Sequence, residues 1–208
     1  YALNRIGAIA NMIHPLLSAK EIQDFVENTD SVAILTLDMI YPKFAKIKWK
    51  TTKEPKMILA KIADALPWYA KPVYSAKNNL RLNFNPDHDV IYWNDFIALG
   101  EKTKSVLPID DGKADDTAVI LYSGGSSGTP KGVMITNLNI NSLALHTYDI
   151  GGIEDVAGKK SLAVMPLFHG FGLVICVHAM LSLGFHVYLL PKYDFNESSK
   201  LIFKKKIN

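Results

Sequence analysis

Short apolar runs recur along the chain, each about the length of one buried strand and each followed by polar, turn-forming residues. They are VAILTL (32–37), MILAKI (57–62), TAVILY (117–122), SLAVMPL (161–167) and FHVYLL (185–190), with a shorter one at 133–135. Between them the apolar period lengthens to that of helices. Ser18, Ala19, Lys20 and Glu21 have the spacing of a capping box, after which Ile22, Phe25 and Val26 fall on one helical face. The residues before them read as the tail of a helix cut from something longer. Residues 137–146 and 196–204 read as helices, and 171–183 as a helical run stopped by Gly184. Strands alternating with helices predict an α/β fold, a layered subdomain built on a parallel sheet.

The stretches between these elements carry weaker patterns. Residues 41–56 are lysine-rich around Trp49 and are expected to form a solvated helix with one buried tryptophan, in preference to a nucleic-acid surface. Pro67 and Pro72 break 63–79 into a short, interrupted helix whose Trp68, Tyr69 and Tyr74 are expected to pack. Residues 90–99 form an amphipathic piece, and 100–116 a polar surface loop. Asp110 and Asp111 there read as solvated turn residues before metal ligands.

One stretch fits neither strand nor helix. YSGGSSGTPKG, residues 122–132, holds four glycines, three serines, a threonine, a proline and a lysine. Such residues cannot build a core; they present backbone. Glycine lets a ligand approach the main chain closely, and successive N–H groups and hydroxyls suit phosphate oxygens. Lys131 adds the charge. A flexible linker fits poorly, because the stretch is pinned between two strand-like runs. The loop fails the Walker A template, since Pro130 precedes Lys131 and Gly132 follows where Ser or Thr is needed. The helix expected after this loop, at 137–146, would place its first amides near the anion.

A second stretch, MPLFHGFGL (165–173), is expected at the carboxyl end of a strand, where open α/β sheets bind ligands. Taken alone, His169 reads as a core histidine bonded to a backbone carbonyl. His14, His88, His146, His178 and His186 show no metal-ligand spacing.

Composition narrows the classes. Nearly half of the 208 residues are hydrophobic, enough for a core and against disorder. A net charge of +3 with dispersed lysines argues against nucleic acid as the main partner. The single cysteine, Cys176, implies neither a disulfide nor a metal framework and fits a reducing, cytoplasmic setting. No signal-peptide pattern opens the chain, and the longest apolar run is too short to span a bilayer.

The order hydroxyl and glycine run, Gly128, Thr129, Pro130, Lys131, Gly132 resembles the phosphate loop of the adenylate-forming superfamily. That superfamily includes acyl-CoA synthetases, luciferases and peptide-synthetase adenylation domains. Three further stretches are similar to its acyl-CoA synthetases: Gly7, Ala8 and Ile9 followed by Pro15 and an amphipathic helix; Trp93, Asn94, Asp95 and Phe96 ahead of the loop; and the Pro-Leu-Phe-His signature at 166–169. The resemblance covers nearly the whole chain and implies an AMP-binding N-terminal domain over 1–208, lacking its start and its later motifs. It implies that Ser123, Gly125, Ser126, Ser127, Gly128, Thr129 and Lys131 hold ATP phosphates, with Lys131 catalytic. It also implies that His169, flanked by Phe168 and Gly170, borders the acid pocket.

The implied reaction is ATP-dependent activation of a carboxylic acid to an acyl-adenylate, then transfer to coenzyme A, of the long-chain acyl-CoA synthetase kind. Amino-acid-activating relatives commonly carry Phe-Asp where Phe168 and His169 stand. An adenylation domain loading a carrier protein is therefore the lesser alternative, beside a non-catalytic nucleotide-binding fragment. No metal ligand is assigned within the chain. The Mg²⁺-linked glutamate, the ribose-binding aspartate and a C-terminal-domain lysine are implied to lie outside it, so the chain alone is expected to make no thioester. Peripheral membrane contact is compatible with an acyl substrate. The sequence departs from the superfamily's usual residues at Gly124 (Ser), Ser127 (Thr) and Asn137 (His).

Overall fold

The computed structural model describes residues 1–51, 53–78, 90–103, 112–124, 130–151 and 156–207. Eight strands are described: β1 (Ala10–Met12), β2 (Ala33–Leu37), β3 (Lys56–Ala60), β4 (Val90–Tyr92), β5 (Thr117–Ser123), β6 (Lys131–Thr136), β7 (Lys160–Ala163) and β8 (His186–Leu189). The α-helices are α1 (Ala2–Arg5), α2 (Ala19–Asn28), α3 (Tyr41–Phe44), α4 (Lys71–Asn78), α5 (Trp93–Lys102), α6 (Asn137–Gly151), α7 (Met180–Ser182) and α8 (Phe195–Lys205). A 3₁₀ turn spans Ile62–Ala65, and a wide π-wound helix spans Phe171–Ala179. The chain divides into two compact units, Pro15–Val106 and Tyr1–His14 with Leu107–Asn208.

The unit Pro15–Val106 is built on a parallel sheet of order β2-β3-β4, with Ile34 opposite Met57 and Leu59 opposite Tyr92. The capping box forms as expected: the Glu21 N–H donates to Ser18 Oγ at 3.3 Å, and the Ser18 N–H donates to a Glu21 carboxylate oxygen at 2.9 Å. These bonds satisfy amides that the first helical turn leaves without partners. The Ser18 hydroxyl, which donates to the same carboxylate oxygen at 2.7 Å, and then the Ser18 N–H hold the Glu21 carboxyl below the usual carboxylate range. Ile22, Phe25 and Val26 are buried, as their spacing predicts, in a core shared with Tyr41, Phe44 and Leu59.

Two expectations for this unit are corrected. Residues 41–56 do not form one helix: α3 ends at Phe44, and the lysine-rich remainder runs irregularly. Side chains of α2 take its backbone groups, since Gln23 donates to the Lys48 carbonyl at 2.7 Å and the Lys50 N–H donates to the Glu27 carboxylate at 2.9 Å. Trp68 and Tyr69 do not pack inward either. They stand edge to face with ring centroids 6.0 Å apart and are 82% and 66% exposed. Residues 90–99, read as one amphipathic piece, divide into β4 and the first part of α5. Asp110 and Asp111 lie outside the described residues.

In the other unit, β5 is the central strand of a mixed sheet of order β1-β5-β6. β1 runs parallel to it, Met12 opposite Leu121, and β6 runs antiparallel, Ser123 opposite Lys131 and Thr117 opposite Thr136. Val119 and Leu121 of β5 are buried. β7 and β8 form a parallel pair, and α6 packs against the π-wound helix. Gly184 takes φ +83°, the left-handed conformation suited to a helix stop, and β8 follows.

The glycine loop therefore leads into a strand. The six-residue β6 separates it from α6, whose first amides already have partners at the other end of the hairpin. The Asn137 N–H donates to the Asp116 carbonyl at 3.0 Å, and the Leu138 N–H donates to the Ala114 carbonyl at 2.7 Å. Helix amides are thus not available to an anion in the loop, which corrects that expectation.

Candidate active site

Two stretches converge on the carboxyl end of β5. The first is the hairpin itself. Exposed Ser123 closes β5 and exposed Lys131 opens β6, so register sets them opposite one another as the two posts of the loop. Gly125, Ser126, Ser127, Gly128 and Thr129 lie outside the described residues. Gly132 has a steric reason of its own. It pairs with Tyr122, and a Cβ there would stand 3.3 Å from the Tyr122 ring and 3.2 Å from Ile120. The hydroxylated residue of a Walker A loop would crowd that face. Burial pushes the Tyr122 phenol up.

The second stretch is the turn after β7, which ends at Ala163 instead of continuing to Leu167. The His169 N–H donates to the Pro166 carbonyl at 3.1 Å, and the His169 carbonyl accepts from the Leu173 N–H at 3.0 Å. The Phe171 N–H donates to His169 Nδ1 at 3.2 Å. An Nδ1 that accepts a bond leaves the proton of the neutral ring on Nε2. His169 is exposed, unlike a core histidine. Gly170 lies over the hairpin's central strand: a Cβ on it would meet Leu121 Cδ1 at 3.7 Å, two residues before Ser123. Phe168 is half-buried against His14, ring centroids 4.1 Å apart and planes tilted by 47°.

Sequence reasoning passed over two residues here. Gly172 is the glycine this turn cannot do without, because a Cβ there would stand 2.2 Å from the Pro166 carbonyl oxygen. Its signal was a second glycine opening an otherwise bulky apolar run. That run winds as a π-helix, a rare form that is frequent at functional sites. His14 was considered only for metal spacing, although it stands two residues past β1 at the same sheet edge.

A polar cleft of about 320 Å³ lies near the opposite end of β5, beside Gly7, Asp116, Thr117 and Asn137. The Asn137 side chain is engaged there with Asn4 and the Lys113 carbonyl. Ser123 and Gly170, with His169 beside it, lie toward the other end of β5. Among the described residues no group of three His, Cys, Asp or Glu side chains could hold a metal ion. No helix among the described residues is long and apolar enough to cross a membrane.

The family model for AMP-binding enzymes matches residues 1–207. The chain belongs to the AMP-binding enzyme family. The long-chain-fatty-acid–CoA ligase of Bacillus subtilis (strain 168) is 28% identical to this AMP-binding chain over 99% of it and 37% of the relative. Probable 4-coumarate–CoA ligase 3 of Dictyostelium discoideum is 27% identical over 97% of the chain and 35% of the relative. The fold is similar to that of O-succinylbenzoate coenzyme A synthetase from Bacillus subtilis, solved in complex with AMP. That match has a TM-score of 0.63 at 19% identity and covers 100% of this chain and 43% of that one. The chain spans little more than a third of the curated relatives' length. The adenylate-forming resemblance and the mixed α/β fold with parallel sheets thus hold, and the family is one of enzymes whose relatives here are acid–thiol ligases.

Proposed function

We propose that this chain supplies the phosphate loop and the acid-side turn of an ATP-dependent acyl-CoA ligase of the long-chain type. One observation carries the reading: Gly170, beside His169, rests over Leu121 of the strand that ends at the glycine loop. An acid bordered by His169 is thereby close to phosphates held beyond Ser123. In the first step the acid's carboxylate oxygen attacks the α-phosphorus of ATP. The bond to the bridging oxygen breaks, and pyrophosphate leaves. In the second, the thiol of coenzyme A attacks the acyl carbonyl and AMP leaves.

In this reading Ser123, the loop's glycines and hydroxyls, and Lys131 hold the phosphates and stabilise charge that builds on the departing pyrophosphate. His169 contributes a fixed Nε2–H at the acid. The long-chain preference draws on the Bacillus relative, with 4-coumarate as the rival acid. A cytoplasmic setting follows from the supply of ATP and coenzyme A. Peripheral membrane contact through exposed Trp68 and Tyr69 belongs to the same reading, since tryptophan and tyrosine favour membrane interfaces.

The test is acid-dependent exchange of pyrophosphate into ATP by the full-length protein, with palmitate and 4-coumarate in parallel. Exchange with palmitate is expected. Exchange with 4-coumarate alone would move the substrate to the aryl class, and exchange with neither acid would overturn the reading.

A further inference from the structure

We propose that His14 is a positioning residue of the acid-side turn: its ring, packed at a tilt against Phe168, holds the Phe168–His169 pair so that His169 presents Nε2–H to the site. The inference rests on the ligase reading for its consequence in catalysis but not for its geometry. β1 runs parallel to β5 with Met12 opposite Leu121, so the chain leaving β1 emerges at the edge where β5 ends. Two residues on, His14 meets Phe168 at 4.1 Å between ring centroids. Gly170 meets Leu121 on the same strand, so one short turn is braced at two points, by an aromatic contact and by a backbone approach.

His169 needs that brace. Its main chain is tied at both ends, through Pro166 and Leu173, but its exposed ring has the Phe171 N–H as its recorded hydrogen-bond partner. A bond of 3.2 Å to one ring nitrogen fixes the tautomer only while the ring keeps the tilt that holds the bond, and that tilt is set by its surroundings. Phe168 precedes His169 directly, and any swing of Phe168 turns the shared peptide. A tilted contact between two aromatic rings resists such a swing more than an aliphatic contact does. Pro15 adds stiffness, since the residue before a proline is kept out of the helical region.

Two measurements test this. In the full-length protein, His14→Ala is expected to raise the KM for the acid about tenfold and leave the KM for ATP within about twofold, with His14→Phe restoring the acid value because it keeps a ring against Phe168. Both KM values rising together, or no rescue by His14→Phe, would overturn the proposal. The second measurement needs no activity. Long-range ¹H–¹⁵N spectra of the chain's imidazoles should show His169 as a single Nε2–H tautomer, a tautomer mixture in His14→Ala, and the single tautomer again in His14→Phe. His169 signals unchanged by His14→Ala would also overturn it. Should the wild-type protein show no exchange with any acid, the ligase reading fails by itself, and the spectra still decide the role of His14.

Discussion

The two stretches that meet at the end of β5 are both rich in glycine, and they use it in opposite ways. In the hairpin, Gly124 has no atom of the described residues, its chain neighbours aside, within 4 Å of where a Cβ would sit. Its lack of a side chain leaves that backbone open on the described side. In the turn, Gly172 lies so close to Pro166 that its lack of a side chain is what lets the chain pass at all. Gly170 and Gly132 fall between, the first at ordinary contact distance and the second tight against Tyr122. Composition cannot separate a glycine kept for access from one kept for packing; only the neighbours of the absent Cβ do.

The largest expected effect breaks or upholds that comparison directly. Gly172→Ala drives a methyl into backbone oxygen, and backbone cannot rotate away as a side-chain end can. Overpacking of this kind costs about 3 kcal/mol, so the urea midpoint should fall steeply or the chain should fail to fold. Gly124→Ala should stay within about 1 kcal/mol, the ordinary spread of a glycine-to-alanine change. Equal midpoints for the two variants would dissolve the distinction.

Next in size is Lys131→Ala in the full-length protein. A hydrogen bond to a charged group contributes about 1.5–3 kcal/mol, so acid-dependent exchange should drop by about one to two decades. The midpoint of unfolding should hardly move, because Lys131 is exposed at the head of β6. Unchanged exchange would remove Lys131 from the phosphate site. A smaller effect, about 1 kcal/mol, is expected for Ser18→Ala through loss of the α2 cap. Here stability should fall while exchange persists, the reverse of Lys131→Ala.

The same contrast explains what could be read in the sequence. The α2 cap and its apolar face were legible because each depends on contacts within a few residues. Ile22, Phe25 and Val26 are buried as their spacing says. The 41–56 segment was not, because its backbone partners, Gln23 and Glu27, lie some two dozen residues away. Loop and turn were legible as motifs, Lys131 and His169 included, since small residues and a lone lysine or histidine stand out against apolar runs. The pairing of Ser123 with Lys131, the close approach at Gly172 and the tilted contact of His14 with Phe168 all arise from tertiary neighbours. The antiparallel turn-back of β6 also escaped, for an apolar run carries no sign of its direction.

The smallest effect concerns a histidine away from the site. His178, on the π-wound helix, receives a contact from the Tyr1 hydroxyl at Nδ1, 3.0 Å, and faces the Asn141 side-chain oxygen from Nε2, 3.2 Å. A neutral ring with its proton on Nε2 satisfies both, Nδ1 accepting and Nε2 donating. Burial disfavours the charged form, so its pKa lies below the ordinary value. The unfolded chain, titrating near 6.5, then binds the proton more readily than the folded one. The contribution of His178 is therefore fully present above about pH 6.5 and is lost as pH falls through the lower folded value. His178→Gln, which cannot ionise, isolates that term. The stability gap between wild type and variant should be constant from pH 8 to pH 7 and shift against the wild type toward pH 5, a window set by the same titration. Subtracting the variant removes the other histidines, which both proteins share. A gap that stays flat across the range would show that the ring is not desolvated in the fold.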